Sequence, residues 1–122
     1  MTTSEKATVL AWHDALNARD LDTLLELSSD DIEIGDANGA AQGHAALQDW
    51  ARALDVNAEP GRIYIRDGVV VVEQQITSVT GETGTAASAF RVVHDKVTSV
   101  FRHADLASAL AATELGEDDL TG

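Results

Sequence analysis

Apolar residues repeat at helical spacing through the first half of the chain and at strand spacing through much of the second. From about Glu5 to Ala18, Val9, Trp12 and Leu16 keep i, i+3, i+7 spacing, while Glu5, Lys6, Asp14 and Arg19 lie mostly elsewhere on the wheel. That pattern predicts an amphipathic helix with one buried stripe and His13 at its flank. Asp20 can cap a second, shorter helix through its side-chain oxygen, and Leu21, Leu24, Leu25 and Leu27 give that helix an apolar face. Ser28, Ser29, Asp30 and Asp31 are expected to end it in a turn, because short polar side chains compete for backbone hydrogen bonds. Ile32 and Ile34 then alternate with Glu33 and Gly35, the period of a half-buried strand over Ile32–Asp36. The same period sets Asp36 on the face of the two isoleucines. The small residues of Ala37–Gln42 read as a loop. A third helix follows from about Gly43, with Leu47, Trp50, Ala51 and Leu54 at i, i+3, i+4, i+7.

Beyond Pro60-Gly61 the period changes to two. Arg62–Arg66 and Val69–Val79 read as strands joined at Asp67-Gly68, a hairpin signal because glycine tolerates the positive φ of such a turn. Val69-Val70-Val71-Val72 is apolar on both faces, so both should be covered. Gly81–Gly84 turns the chain into a strand over Thr85–His94. A tight turn at Asp95-Lys96 leads into Val97–His103, and Asp105 can cap a last helix reaching about Leu115. Helices gathered in the first half and an antiparallel meander after them make the class α+β. Residues 1–122 are expected to form one domain with loose ends at 1–4 and 116–122.

Composition narrows the functions open to such a fold. A chain of 122 residues can bury one core, not two. Its 21 acidic against 8 basic residues, a formal net charge of -13, argue against nucleic acid or an anionic membrane surface as a partner, since both repel it. The absence of cysteine excludes disulfides, thiolate nucleophiles and cysteine-ligated metal. None of the four histidines forms the i, i+4 pair of a zinc-binding helix, and there is no glycine-rich phosphate loop or nucleophile elbow. The N-terminus has no basic region followed by an apolar stretch, and no apolar run approaches the ~18 residues a membrane helix needs. A cytoplasmic protein is the expectation.

The order and spacing of several stretches resemble the nuclear transport factor 2-like superfamily, and within it the SnoaL-like polyketide cyclase and ketosteroid isomerase group. The resemblance is carried by Ala15-Leu16-Asn17-Ala18-Arg19-Asp20-Leu21-Asp22, by Leu24, Leu27 and Asp30-Asp31, and by Gly43-His44-Ala45-Ala46-Leu47 opening the third helix. Phe90-Arg91-Val92, and Lys96-Val97-Thr98-Ser99-Val100 running into Asp105-Leu106, are similar to the family's last two strands. The resemblance implies a curved sheet wrapped around the helices as a cone, with a pocket for a small, largely apolar ligand near the end of the first strand. It also implies a homodimer through the outer face of the sheet, and no cofactor or metal.

Under that resemblance Asp36 falls on the general-base position of ketosteroid isomerases, where apolar neighbours would desolvate a carboxylate and let it shuttle a proton. The bland alternative is a strand-end residue that caps backbone groups of the following loop. Trp12 falls where those isomerases have an oxyanion-hole tyrosine, and Ser88 where they have a second, protonated aspartate. An indole N–H or a hydroxyl can donate a hydrogen bond, but neither is the acidic donor an enolate prefers. The later-strand aspartate of SnoaL-like cyclases has no counterpart, Glu73 being the one carboxylate in the strands read over Val69–Val79 and Thr85–His94. Asp36 and Arg102 match part of the Asp-Arg-Asp relay of related epoxide hydrolases. His103 is either an acid or base near the pocket or a backbone-bonding residue at a strand-to-helix junction. The expected pocket wall comprises Trp12, Leu16, Ile34, Trp50, Leu54, Ser88, Phe90, Val92, Phe101 and Arg102. Either Phe101 and His103 or Val100 and Arg102 enter the cone, since a bulge would exchange the two sets. Three functions compete: a ligand-binding isomerase or cyclase with Asp36 as base, a non-catalytic binding or dimerisation module, and an accessory domain whose cone is filled by side chains.

Overall fold

The computed structural model describes residues 5–36, 39–54 and 56–121. Its elements run α1 (Glu5–Asn17), α2 (Leu21–Glu26), β1 (Ser28–Asp36), β2 (Gly39–Gln42), α3 (His44–Ala53), β3 (Val56–Arg66), β4 (Val69–Ser78), β5 (Thr83–Val93), β6 (Lys96–His103) and α4 (Leu106–Thr113), then a 3-10 turn at Glu117–Asp119. The six strands form one curved, unclosed sheet in the order β2-β1-β6-β5-β4-β3. β3 to β6 are the expected antiparallel meander, and β1 joins it by pairing parallel to β6.

The stretch from Asn17 to Asp20 is a corner built from side chains. Asn17 donates to the Ala58 carbonyl at 2.9 Å and accepts from the Ala58 N–H at 3.0 Å, which ties the end of α1 to β3. Arg19, left-handed at φ 58, closes the helix, and its guanidinium donates to the carbonyls of Leu16, Leu54 and Val56. Asp20 then caps α2 by accepting from the Thr23 N–H at 3.3 Å, as its position predicts.

Three segments depart from the sequence reading. The polar run Ser28–Asp31 is the start of β1, not a turn: Ser28 is buried with its hydroxyl bonded to the Leu24 carbonyl at 2.7 Å, and Asp30 and Asp31 point to solvent. Gly39–Gln42 is an exposed edge strand paired with β1, although Ala37 and Asn38 of the expected loop lie outside the described residues. β3 starts at Val56, six residues before Arg62, and carries Pro60 at a register shift between Pro60 and Ile63. A proline cannot donate to the ladder, and an edge strand with a bulge is where a sheet accepts one. The Asp67-Gly68 hairpin has positive φ at both residues, 53 and 81, as the dipeptide predicts.

The sheet divides two apolar clusters. Its inner face, with α1, α2 and α3, buries Val9, Trp12, Leu16, Ile32, Ile34, Leu47, Val70, Val72, Phe90, Val92, Val97 and Val100. On the outer face Tyr64, Val71, Ala87, Ala109 and Leu115 pack together under α4. The two-sided apolar character of Val69–Val72 is therefore satisfied within one chain. Residues after Gly116 make backbone contacts as far as Thr121, whose N–H donates to the Ile63 carbonyl at 2.8 Å. Among the described residues no helix is long and apolar enough to cross a membrane.

Candidate functional site

The ladder settles which side chains share the cone. In paired strands directly opposed residues point to the same face. Val70, Phe90, Val100 and Ile34 line up across β4, β5, β6 and β1 as an apolar row. The next row toward the strand ends is Val72, Ser88 and Arg102, with Asp36 following Ile34 two residues on along β1. Thus Val100 and Arg102 face inward, whereas Phe101 and His103 oppose Ala89 and Ala87 on the outer face. A register shift between Arg91 and Val92 places Thr98 as the extra residue, so Val97 and Val100 share a face despite their odd spacing.

Asp36 is exposed at the end of β1 and lines a pocket of about 310 Å³ with Ile34, Gly35, Gly39, Ala40, Ala41 and Trp50. It is not enclosed between the isoleucines. Arg102 is half-buried. Burial pushes its guanidinium below the ordinary arginine value, and the Asp36 carboxylate acts in the opposite direction by charge. Its Nε is shielded from solvent and has no hydrogen-bond partner among the described residues.

Behind this mouth the interior is filled by rings. Trp50 lies 6.0 Å from Trp12, and Trp12 meets Phe90 edge-on at 5.3 Å, with Trp12 and Phe90 each 1% exposed. The Trp12 Nε1–H donates to Ser28 Oγ at 3.0 Å, and the Ser88 hydroxyl donates to Gln74 Oε1 at 3.0 Å. Both candidate donors for a substrate oxygen are thus engaged inside the protein. Leu16 and Val92 belong to the same core, and Leu54 packs against it half-buried. Phe101 lines a separate outer pocket of about 280 Å³ with Ala89, Arg91, Ser99 and Ala112. Ile34, Asp36 and Trp50 therefore come together with Arg102 beside them, while His103 and Phe101 stand on the opposite side of the sheet.

Two buried polar residues escaped the sequence reading. His13, expected at the helix flank, is fully buried, and Gln74 is 3% exposed, their side chains 2.8 Å apart. The signal was present: His13 completes i, i+4 from Val9, and Gln74 continues the inward period of Val70 and Val72. Their polar type masked it. His44 opens α3 and bonds the Ser28 carbonyl at 3.2 Å, a structural anchor between helix and strand. Among the described residues no group of three or more His, Asp or Glu is placed to hold a metal.

A profile of the SnoaL-like domain matches residues 9–105. No curated protein matches the chain in sequence. Among solved structures, a nuclear transport factor 2-like protein of unknown function from Cytophaga hutchinsonii superposes with TM-score 0.76 at 14% identity, covering 88% of this chain and 96% of that one. A provisionally assigned polyketide cyclase from Sinorhizobium meliloti has TM-score 0.73 at 19% identity over 83% and 100% of the two chains. A provisionally assigned ketosteroid isomerase from Kribbella flavida gives 0.73 at 18% identity over 80% and 75%. At these identities the likeness is one of fold.

Proposed function

Because the chain belongs to the SnoaL-like domain family, we propose that it binds a small, largely apolar molecule at the mouth of the cone, the ligand's body against Ile34 and Trp50 and its polar group facing Asp36 and Arg102. One observation carries this reading: Asp36, Ile34 and Trp50 line one pocket, and the Asp36 carboxylate acts by charge on the half-buried Arg102 guanidinium. Such a pair can orient a carbonyl or hydroxyl while the aromatic wall removes apolar area from water. Were the ligand to react, Asp36 would take the proton and Arg102 would steady the negative oxygen that develops, an isomerisation or cyclisation needing no cofactor. The engagement of Trp12 with Ser28 and of Ser88 with Gln74 favours the second reading, a binder that performs no chemistry.

Both readings are tested on one panel of bicyclic to tetracyclic ketones and phenols, followed by tryptophan fluorescence and by exchange of ketone α-protons in deuterium oxide. Binding that is lost in Trp50→Ala and weakened in Arg102→Met supports the pocket. Exchange that disappears in Asp36→Asn makes the protein an acid/base catalyst, and binding without exchange makes it a carrier or sensor. Quenching that is indifferent to Trp50 and Arg102 removes the site.

A further inference from the structure

The buried polar groups of the core form one hydrogen-bonded chain whose proton positions can be worked out link by link. His13 Nδ1 lies 2.8 Å from the Val9 carbonyl, His13 Nε2 lies 2.8 Å from Gln74 Nε2, and Ser88 Oγ lies 3.0 Å from Gln74 Oε1. A carbonyl only accepts, so Nδ1 carries the proton and Nε2 of the neutral ring is the acceptor. Gln74 Nε2 therefore donates to the ring, its Oε1 faces Ser88, and Ser88 spends its proton on Gln74. The neutral Nε2–H tautomer would set a nitrogen lone pair against the Val9 oxygen and an N–H against the amide. One arrangement satisfies every link, and His13 fixes its direction.

We propose that His13 is a proton switch for this relay, and that protonating its ring turns the Gln74 amide over and frees the Ser88 hydroxyl proton on the inner face of the sheet. An imidazolium donates from both nitrogens, so Nε2–H needs an acceptor, and Gln74 is the group in place to supply one. Rotating the amide by a half turn brings Oε1 to the ring and the NH₂ to Ser88. Ser88 then accepts from Gln74, and its own proton becomes available in the row it shares with Arg102, toward the Asp36 end of the cone. The switch itself is a property of the free protein.

The groups around the ring set where it works. From α1, the hydrogen bond to the Val9 carbonyl favours the charged ring, and the adjacent Asp14 adds to it by its charge. β4 and β5 present Gln74, Ser88 and Phe90, all uncharged, with the Phe90 ring 5.3 Å from the imidazole. Arg102 on β6 lies beyond Ser88. Burial outweighs these aids and holds the imidazole below its ordinary value of 6.5, so the reversal belongs to the acid side of neutrality.

Nitrogen-15 NMR of the unmodified protein tests this without relying on a variant that might not fold. At pH 7.5 the ring is expected as the Nδ1–H tautomer. On acidification below pH 6.5, the His13 ring signals and the Gln74 side-chain amide signals are expected to move together with one midpoint while the backbone spectrum stays folded. Finding the Nε2–H tautomer, a Gln74 amide unmoved by the titration of the ring, or a ring that charges only as the protein unfolds would overturn the switch.

Discussion

Ser88 stands directly across the β5–β6 ladder from Arg102, and this one pairing decides that the guanidinium, not the neighbouring His103, belongs to the interior of the cone. The consequence is a cation held partly out of water whose Nε finds no acceptor among the described residues. A buried unsatisfied donor costs about 1–3 kcal/mol. Replacing Arg102 by Met, which keeps the length and removes the donor, is therefore expected to stabilise the free protein by about 1 kcal/mol in urea unfolding. His103→Ala, on the outer face, should leave ligand binding unchanged. A loss of stability in Arg102→Met would mean that the guanidinium supports the fold instead of serving a ligand.

The corner at Asn17 gives a second expectation. Its side chain both donates to and accepts from the Ala58 backbone, and Ala58 is itself buried. Asn17→Ala breaks two hydrogen bonds and strands a buried N–H and carbonyl, for a loss of about 2 kcal/mol. Asn17→Asp keeps the acceptor for the Ala58 N–H but turns an acceptor-only carboxylate oxygen toward the Ala58 carbonyl, so it does not restore the pair and its melting temperature at neutral pH should stay well below that of the wild type.

Much of this architecture is visible in local sequence, and what is hidden has a common cause. The Asp20 cap, the Asp67-Gly68 turn and the Leu47 and Ala51 stripe of α3 are decided by residues a few positions apart. β2 and the first half of β3 are decided by partners elsewhere: Gly39–Gln42 has no strand signal of its own and is extended because β1 offers a ladder. The inward face of β6 could not be read, because the shift at Thr98 changes the parity of every residue after it. Asp36 shares the face of the isoleucines as its period predicts, and of the two positions this left open, the rim and the interior, it takes the exposed strand end. The burial of His13 and Gln74 is hidden by their polar type, because it depends on partners far away in sequence: they bond each other across 61 residues, and Gln74 also accepts from Ser88.

Gly35, directly across the β1–β6 ladder from Phe101, yields a test of packing on the outer face. A Cβ at this position would lie 2.6 Å from Phe101 Cε1 and 3.0 Å from the Ala40 Cβ, so the Phe101 ring occupies the space that any side chain would need. Gly35→Ala is expected to destabilise by about 1–3 kcal/mol through overpacking. Phe101→Leu should relieve part of that cost, so that in a double-mutant cycle the two changes together cost less than their sum. Strict additivity would show that Phe101 does not hold the ring position described.

His13 makes stability depend on pH in a window set by its burial. Burial lowers the native pKa of the ring, against a value of 6.5 when unhindered, so the unfolded chain takes up the proton first. Stability from the neutral ring is then fully present above about pH 6.5 and is lost as the pH falls from there toward the native value. The carboxylate with a resolved downward shift, Asp105, is held low by its hydrogen bonds from Ser108 and titrates below 3.8, so it does not contribute in this window. Urea unfolding at pH 7.5 and at pH 5 should show the wild type losing stability on acidification. His13→Gln, which retains donor and acceptor groups but cannot take a proton, should lose less over the same interval. Equal losses in the two proteins would overturn the claim that burial lowers the native pKa of His13.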